Sequence, residues 1–272
     1  MADLPLREPD IDLIPLVRSA ESDDLGILVG YLHNTHNEDL SSVPCFKMQN
    51  PRASEKIYDG NHCLYADDIA AEIQRYGGNS ISNVFRGGKG VPYIDVLRDA
   101  ADQLKINYNS SSDAATIEAQ IQLKVLSQAY EKMSEDERRE LLKELGVGGV
   151  TIPAVLPVAA IQGAIRLGGF AAYRLALIVA NAIARALLGR GLSLGVNAAL
   201  TRTIGAFAGP IGWAITAVWT LVDLAGPAYR VTIPCVLQVA YMRQKTMITV
   251  CPKCGEASGQ AAKFCASCGT PI

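Results

Sequence analysis

Between Val150 and Arg230 the chain has no lysine and no glutamate, and only one acidic residue, Asp223. The charge that remains is six arginines; most of the rest is Ala, Gly, Leu, Ile or Val, with two Trp. A stretch so poor in charge is no ordinary solvated surface. It is either the core of a helical protein or a segment able to enter a membrane. Strand signals are nearly absent before the C-terminal tail, which excludes a β or α/β architecture. No nucleophile, base and orienting group stand in a recognisable arrangement, which argues against a conventional enzyme. Met1–Glu8 is polar, with no apolar run after it, so no secretory signal is expected. Four of the seven cysteines lie beyond Val250 and the others are scattered. That distribution excludes a disulfide framework and points to a reducing cytoplasm.

The charge is distributed unevenly. Residues 1–149 carry 25 acidic and 15 basic side chains, whereas everything after them is net positive. An acidic half followed by an arginine-only apolar half suggests two parts that face different surroundings or face each other. Four domains are expected: a short helical segment 1–40, an acidic helical domain 41–149, a Gly/Ala-rich apolar helical domain 150–245, and a tail 249–272. The fold class is all-α, a multi-helix bundle with a small metal-held module appended.

Helix ends are readable in the first half. Asp12 is placed to cap a short helix with Leu13, Leu16 and Val17 inward and Pro15 in its first turn, where it is tolerated. Ser22 followed by Asp23 and Asp24 marks another start. Residues 34–62 read as a loop. Tyr65–Tyr76 places Ile69 and Ile73 on one face and stops at Gly77-Gly78. Pro92 suits the first position of a helix to 105, with Ile94, Leu97, Ala101 and Leu104 forming its apolar stripe. Asp113 opens a helix with Ile117, Ile121 and Val125 inward. Ser134-x-x-Glu137 is a capping box whose helix stops at Gly146, and the glycines around Val147–Val150 read as a hinge.

Three apolar runs follow: Thr151–Ile165, Gly169–Leu188 and Thr203–Val222. The last is an uncharged run of 20 residues, about enough to cross a ~30 Å hydrocarbon layer. Gly209-Pro210 interrupts it, which favours a hairpin over one straight span. Its candidate membrane residues are Gly205, Gly209, Pro210, Ile211, Trp213, Ile215 and Trp219. Gly191-x-x-x-Gly195 and Gly205-x-x-x-Gly209 suit close helix approach. Arg166, Arg174 and Arg185 fall within about 100° of one another on a helical wheel and form a polar stripe. An arginine in mid-membrane costs at least ~2.5 kcal/mol, so a constitutive span through Gly169–Leu188 is disfavoured. The stripe could meet anionic lipid, line a pore, pair with the acidic half, or cover apolar surface with its stems.

The sharpest motif is Cys251-Pro-Lys-Cys254 with Cys265-Ala-Ser-Cys268, each pair followed by a glycine, Gly255 or Gly269. Four thiolates in two such knuckles suit a closed tetrahedral structural Zn²⁺ site, and metal would supply the folding energy so short a tail lacks. The competing reading is two redox CxxC pairs. Lys253, Lys263 and Phe264 are too few for a nucleic-acid surface. His33-x-x-His36 and His62-Cys63 close no recognisable metal site, and the bland reading leaves these histidines solvated. Gly87-Gly88-Lys89-Gly90 lacks the spacing of a phosphate loop and reads as a turn.

One block is familiar. Ala228-Tyr-Arg-Val-Thr-Ile-Pro-Cys-Val-Leu-Gln-Val-Ala-Tyr-Met-Arg243 resembles the C-terminal signature of the bacterial YaaW family, also labelled ubiquinol–cytochrome c chaperone-like. Gly77-Gly-Asn-Ser-Ile-Ser-Asn-Val-Phe-Arg-Gly87, the helix 92–105 and the opening Asp10-Ile-Asp-Leu13 are similar to that family too, so the likeness extends over most of 8–245. It implies a bacterial helical protein and no catalytic residues to carry over. The tail after Thr249 is an addition to the family pattern.

Two functions are expected from these features. The first is a non-enzymatic membrane-active protein, cytoplasmic and membrane-associated, whose soluble form shields an apolar hairpin; its partner would be anionic membrane, and it would self-associate. The second is a soluble chaperone-like or self-assembling interaction protein that docks a partner protein through its zinc ribbon. An integral hairpin protein is a weaker third, because Gly209-Pro210 breaks the only long run.

Overall fold

The computed structural model describes residues 6–34, 60–77, 90–147, 151–168, 170–192, 207, 209–212, 229–254, 257–260, 262–265 and 267–272. These residues are overwhelmingly helical, and strand is confined to the tail. The chain divides into two compact units. One holds residues up to 121 together with 218–239, the other 122–217 together with 240–272.

The first unit is assembled around α3 (Ala66–Tyr76), which touches α1 (Ile14–Ser19), α2 (Ser22–Asn34), a 3₁₀ turn (His62–Tyr65) and α4 (Tyr93–Gln103). Ala66, Ile69, Ala70, Ala71 and Ile73 of α3 are all buried. Asp67 and Asp68 in its first turn and Arg75 in its last both complement the helix dipole. The stripe of α4 is wider than the sequence suggests. Tyr93, Val96, Leu97, Ala100, Ala101 and Leu104 are buried, while Ile94 is half-buried.

Several helix ends differ from expectation. Leu13, not Asp12, is the residue before α1, and its own side chain makes no capping bond. The Ser22 hydroxyl is engaged across the unit, donating to the Gly60 carbonyl at 3.2 Å and accepting the His62 N–H at 3.1 Å. Pro92 is the cap residue rather than the first residue of α4. Having no side-chain acceptor, it is supplemented from far away: Asp10 accepts the Tyr93 N–H at 2.8 Å. Gly77 ends α3 in a right-handed conformation (φ −73°). Its role is space, since a Cβ there would lie 2.4 Å from Val96 Cγ2. Gly90 is similar: a Cβ would sit 2.1 Å from the backbone of Gln74, where Val91 N–H bonds the Gln74 carbonyl at 2.9 Å. The rest of the GGKG motif lies outside the described residues.

Two expected starts hold. Asp113 accepts the Thr116 N–H at 2.9 Å and opens α5 (Ala114–Tyr130). Ile117, Ile121 and Val125 of that helix are fully buried. Ser134 and Glu137 form the reciprocal capping box of α6 (Glu135–Glu144). That helix ends as the glycine rule requires: Gly146 adopts φ +72°, with Gly146 N–H on the Lys143 carbonyl and Val147 N–H on that of Leu142.

The second unit contains α6, α7 (Val158–Gly168) and α8 (Phe170–Leu188), with α7 and α8 in contact. Tyr173 and the whole run from Leu175 to Ala184 are buried. Arg138 stacks 5.0 Å over the Tyr130 ring and donates to the Tyr130 and Glu131 carbonyls, closing the C-terminal end of α5. Tyr130 itself donates to the Pro153 carbonyl at 2.9 Å. A helix α9 (Tyr229–Lys245) carries the family-like block, with Pro234 inside it. Val231, Ile233, Cys235, Val236, Leu237 and Val239 are all fully buried, which makes the block a packing element.

Candidate metal centre and the helix beside it

Helix α9 leads through Thr246 and Met247 into β1 (Ile248–Val250), which pairs antiparallel with β2 (Ala257–Gly259) in the register Ile248–Gly259, Thr249–Ser258 and Val250–Ala257. Cys251 therefore follows directly on a paired strand, and Cys254 turns back toward it. The second knuckle is closed by its own hydrogen bonds. Cys265 N–H bonds the Thr270 carbonyl at 2.8 Å, Gly269 N–H bonds the Cys265 carbonyl at 2.9 Å, and Gly269 takes φ +69°. A left-handed residue at that turn favours glycine. Gly255, its counterpart in the first knuckle, lies outside the described residues.

The four sulfurs all lie within 4.8 Å of one another. Cys251 and Cys268 are 3.6 Å apart and Cys254 and Cys265 3.5 Å. Zn–S bonds of ~2.3 Å in a tetrahedron put sulfur edges at roughly 3.8 Å, so the donor set fits a four-thiolate metal ion. The close pairs run between knuckles, and all four cysteines are free thiols. That arrangement differs from two redox pairs closed within each CxxC. Two thiols are already biased toward thiolate. Cys268 is lowered to about 6, first by the Thr270 hydroxyl at 3.1 Å and then by the Thr270 N–H. Cys251 is lowered mainly by the Cys254 N–H.

Strand β2 lies against α8. The window Ala171–Leu188 of that helix is long and apolar enough to cross a membrane, the only such window among the described residues, and 61% of it is buried. Of the arginine stripe, Arg166 belongs to α7 and Arg174 and Arg185 to α8; residue 169 between the two helices and the Arg166 side chain lie outside the described residues. Arg174 is mostly buried and reaches Glu144 at the end of α6, with its Nη1 3.1 Å from both the Glu144 carboxylate and the Glu144 carbonyl. Arg185 is exposed. Asn181 is buried in mid-helix and accepts the Leu192 N–H at 3.0 Å. Gly191 packs so closely there that a Cβ would lie 2.5 Å from Asn181 Oδ1.

Of the hairpin residues, Gly205, Trp213, Ile215 and Trp219 lie outside the described residues. Gly209, Pro210 and Ile211 belong to a helical turn 209–212, with Ile211 fully buried and its N–H on the Phe207 carbonyl at 3.2 Å. Pro210 thus falls in a first turn, where its missing N–H is harmless. A Cβ on Gly209 would meet nothing within 4 Å among the described residues. A Cβ on Gly212 would come within 3.1 Å of Ala186 Cβ on α8.

Among the described residues, no histidine joins a metal-ligand cluster. His62 is buried rather than solvated, with Nδ1 bonded to the Tyr65 hydroxyl and its ring against Gly26, whose Cβ would lie 2.8 Å from Nε2. Cys63 beside it is exposed. The His33 side chain and His36 lie outside the described residues.

Sequence reasoning did not foresee a buried polar chain in the first unit. Gln74 pairs its amide with the Arg7 backbone, both bonds 3.0 Å, and donates to Asp10 at 2.8 Å. The Tyr93 hydroxyl donates to Glu118 at 2.9 Å. Polar residues on otherwise apolar helix faces were its only signal. Nor did any spacing in the sequence mark Glu144 as the partner of Arg174.

No family model matches the chain, and no solved structure matches it. Curated relatives do. A UPF0174 protein of Helicobacter pylori is 42% identical over 212 residues, covering 78% of this chain and 80% of that protein. A second, from another H. pylori strain, is 40% identical over 216 residues, covering 77% of this chain and 98% of that protein. The UPF0174 protein YaaW of Escherichia coli is 31% identical over 183 residues, covering 66% and 72%. The chain therefore belongs to the UPF0174 family, the family of YaaW.

Proposed function

We propose that the chain is a non-enzymatic, membrane-active protein that stores a membrane-competent helix inside its folded form and carries a structural Zn²⁺ in its tail. The observation behind the membrane part is α8, an apolar helix of membrane-crossing length kept largely buried. Burying that much apolar surface is favourable in water by roughly 25 cal/mol per Å², and a hydrocarbon layer offers the same gain once the helix is released. Arg174 and Arg185 flank the buried run, near the positions where arginine stems reach an anionic headgroup region. The Gly205–Trp219 segment would enter with α8, and release would promote self-association. Such a protein resides in the cytoplasm and meets the membrane reversibly. Nucleic acid is not a partner in this reading.

Zinc is favoured over other ions because four thiolates at tetrahedral spacing select a soft or borderline metal and leave no open position for chemistry. Metal analysis of the purified chain should find one zinc per chain, falling to none in Cys251→Ser.

Flotation with anionic liposomes, coupled to dye release, tests the membrane reading. Protein that stays at the bottom and leaves vesicles intact overturns it. Ile211→Asp should weaken membrane activity; undiminished activity would remove the 205–219 segment from the reading.

A second reading, a soluble interaction protein that docks a partner through its metal-held tail, is favoured by Asn181. A buried side-chain carbonyl that accepts the Leu192 N–H inside the fold suits a permanent core. Monodisperse behaviour without detergent and no effect on lipid would support it.

A further inference from the structure

Among its described residues the tail has little apolar core of its own. Its two strands are three residues each, and Met247 and Phe264 are exposed. An isolated two-stranded ribbon of that length is marginal in water. Among the described residues, Cys251 and Cys265 are its buried side chains besides Ser258, so the sulfur cluster stands where a core would be. In a module built this way the free energy of metal binding is the free energy of folding.

Ser258 is buried although it sits in a strand paired on one side only, by β1. Something other than β1 covers β2, and α8 is a helix in contact with that strand. The attachment has a second point. Tyr241, near the end of the helix that leads into β1, packs its ring 6.2 Å from that of Tyr173 at the start of α8. The apolar helix is thus gripped at one place by α9 and at another by a strand whose folding depends on four thiolates.

We infer that the four-cysteine tail is a metal-dependent clip on α8: with metal bound, β2 covers part of the helix, and loss of the metal melts β1 and β2 and uncovers it. Metal supply, or any agent that removes the ion from its thiolates, then sets how available α8 is. The clip stands on the fold alone; its consequence for lipid rests on the membrane reading above.

Hydrogen–deuterium exchange of the full-length protein, with zinc and after chelation, tests both separately. Chelation should deprotect tail peptides from 248–272 and speed exchange across 171–188 by about tenfold or more, while α3 peptides from 66–76 stay unchanged as an internal reference. Cys254→Ser and Cys268→Ser should reproduce this without chelator, and Cys63→Ser, outside the cluster, should not. Deprotection of the tail with unchanged exchange in 171–188 overturns the clip, and so does a tail indifferent to chelation. Phosphatidylglycerol vesicles added to both forms supply the other arm. If 171–188 is uncovered yet the chelated protein does not float with vesicles, the clip stands and the membrane reading fails. Equal flotation of the metal-bound and chelated forms, with 171–188 equally protected, retains the membrane reading and removes the clip.

Discussion

The two units bury their helices by different means. In the first, Asp10, Gln74, Tyr93 and Glu118 are all buried, and hydrogen bonds connect residues 25 to 83 positions apart in sequence. Each of those groups has a directional partner, so the helices have one register in which the polar atoms are satisfied. In the second unit the central helix offers one polar side chain, Asn181, across the run Leu175–Ala184. Apolar burial is non-directional and grows with area, so α8 is held mainly by area, with directional contacts limited among those described to Arg174, Tyr173 and the Asn181–Leu192 hydrogen bond, and with β2 beside it. A core of the first kind specifies; a core of the second kind stabilises without fixing one register.

The sharpest way to break this contrast is a large-to-small change in α8. Leu177 is fully buried, and Leu177→Ala should cost about 2–5 kcal/mol, measured by urea unfolding. In the first unit the matching test removes a polar group. Asp10→Ala strands the Tyr93 N–H and the Gln74 amide without their shared acceptor, and should cost about 2–3 kcal/mol. Combined with Gln74→Ala it should cost clearly less than the sum of the two single changes, because they act on one network. A simple sum would mean the two side chains act independently.

A milder comparison uses one helix-ending motif found in both units. Lys105 closes α4 at φ +54°, with Ile106 N–H on the Ala101 carbonyl, just as Gly146 closes α6. Lysine is strained there and glycine is not. Lys105→Gly should raise stability by up to about 1 kcal/mol and Gly146→Ala lower it by about as much, read as opposite shifts in Tm.

The smallest effect is the pH dependence of Glu72. Burial raises its carboxyl above the usual range, Arg75 at 3.8 Å opposes the shift, and Asp68 adds to it. A raised folded pKa means that the group's contribution is fully present below the unfolded value and is lost as pH rises through the folded value. Glu72→Gln should therefore be more stable than the parent at neutral pH. The gain should shrink as pH falls through the carboxylate range; a gain independent of pH would show that burial of the charge is not its source.

Much of the helical layout is legible from local chemistry. Asp113, the Ser134–Glu137 box and Gly146 act on groups within a few residues, so spacing alone reveals them. The cysteine knuckles are legible for the same reason, since each CxxC turn is local and the metal chemistry demands four thiols. Asp12 is missed by one residue, since Leu13 takes the cap position. The other failures are non-local. Gly77 and Gly90 are required by Val96 and by the Gln74 backbone, neither of which is near them in sequence. His62 is a core residue because α2 passes over it at Gly26.

The sequence by itself determined an all-α chain of the UPF0174 family with a four-cysteine tail and an apolar, arginine-only stretch. Helix periodicity, caps and ligand spacing are short-range properties, and composition reports what must leave water. Only the tertiary structure decided which apolar helix is buried, that Glu144 meets Arg174, that Asp10 caps a helix 83 residues away, and that β2 rests on α8. Those outcomes depend on which surfaces meet when the chain closes over its core, and hydrophobic burial, being non-directional, does not encode that choice in any local pattern.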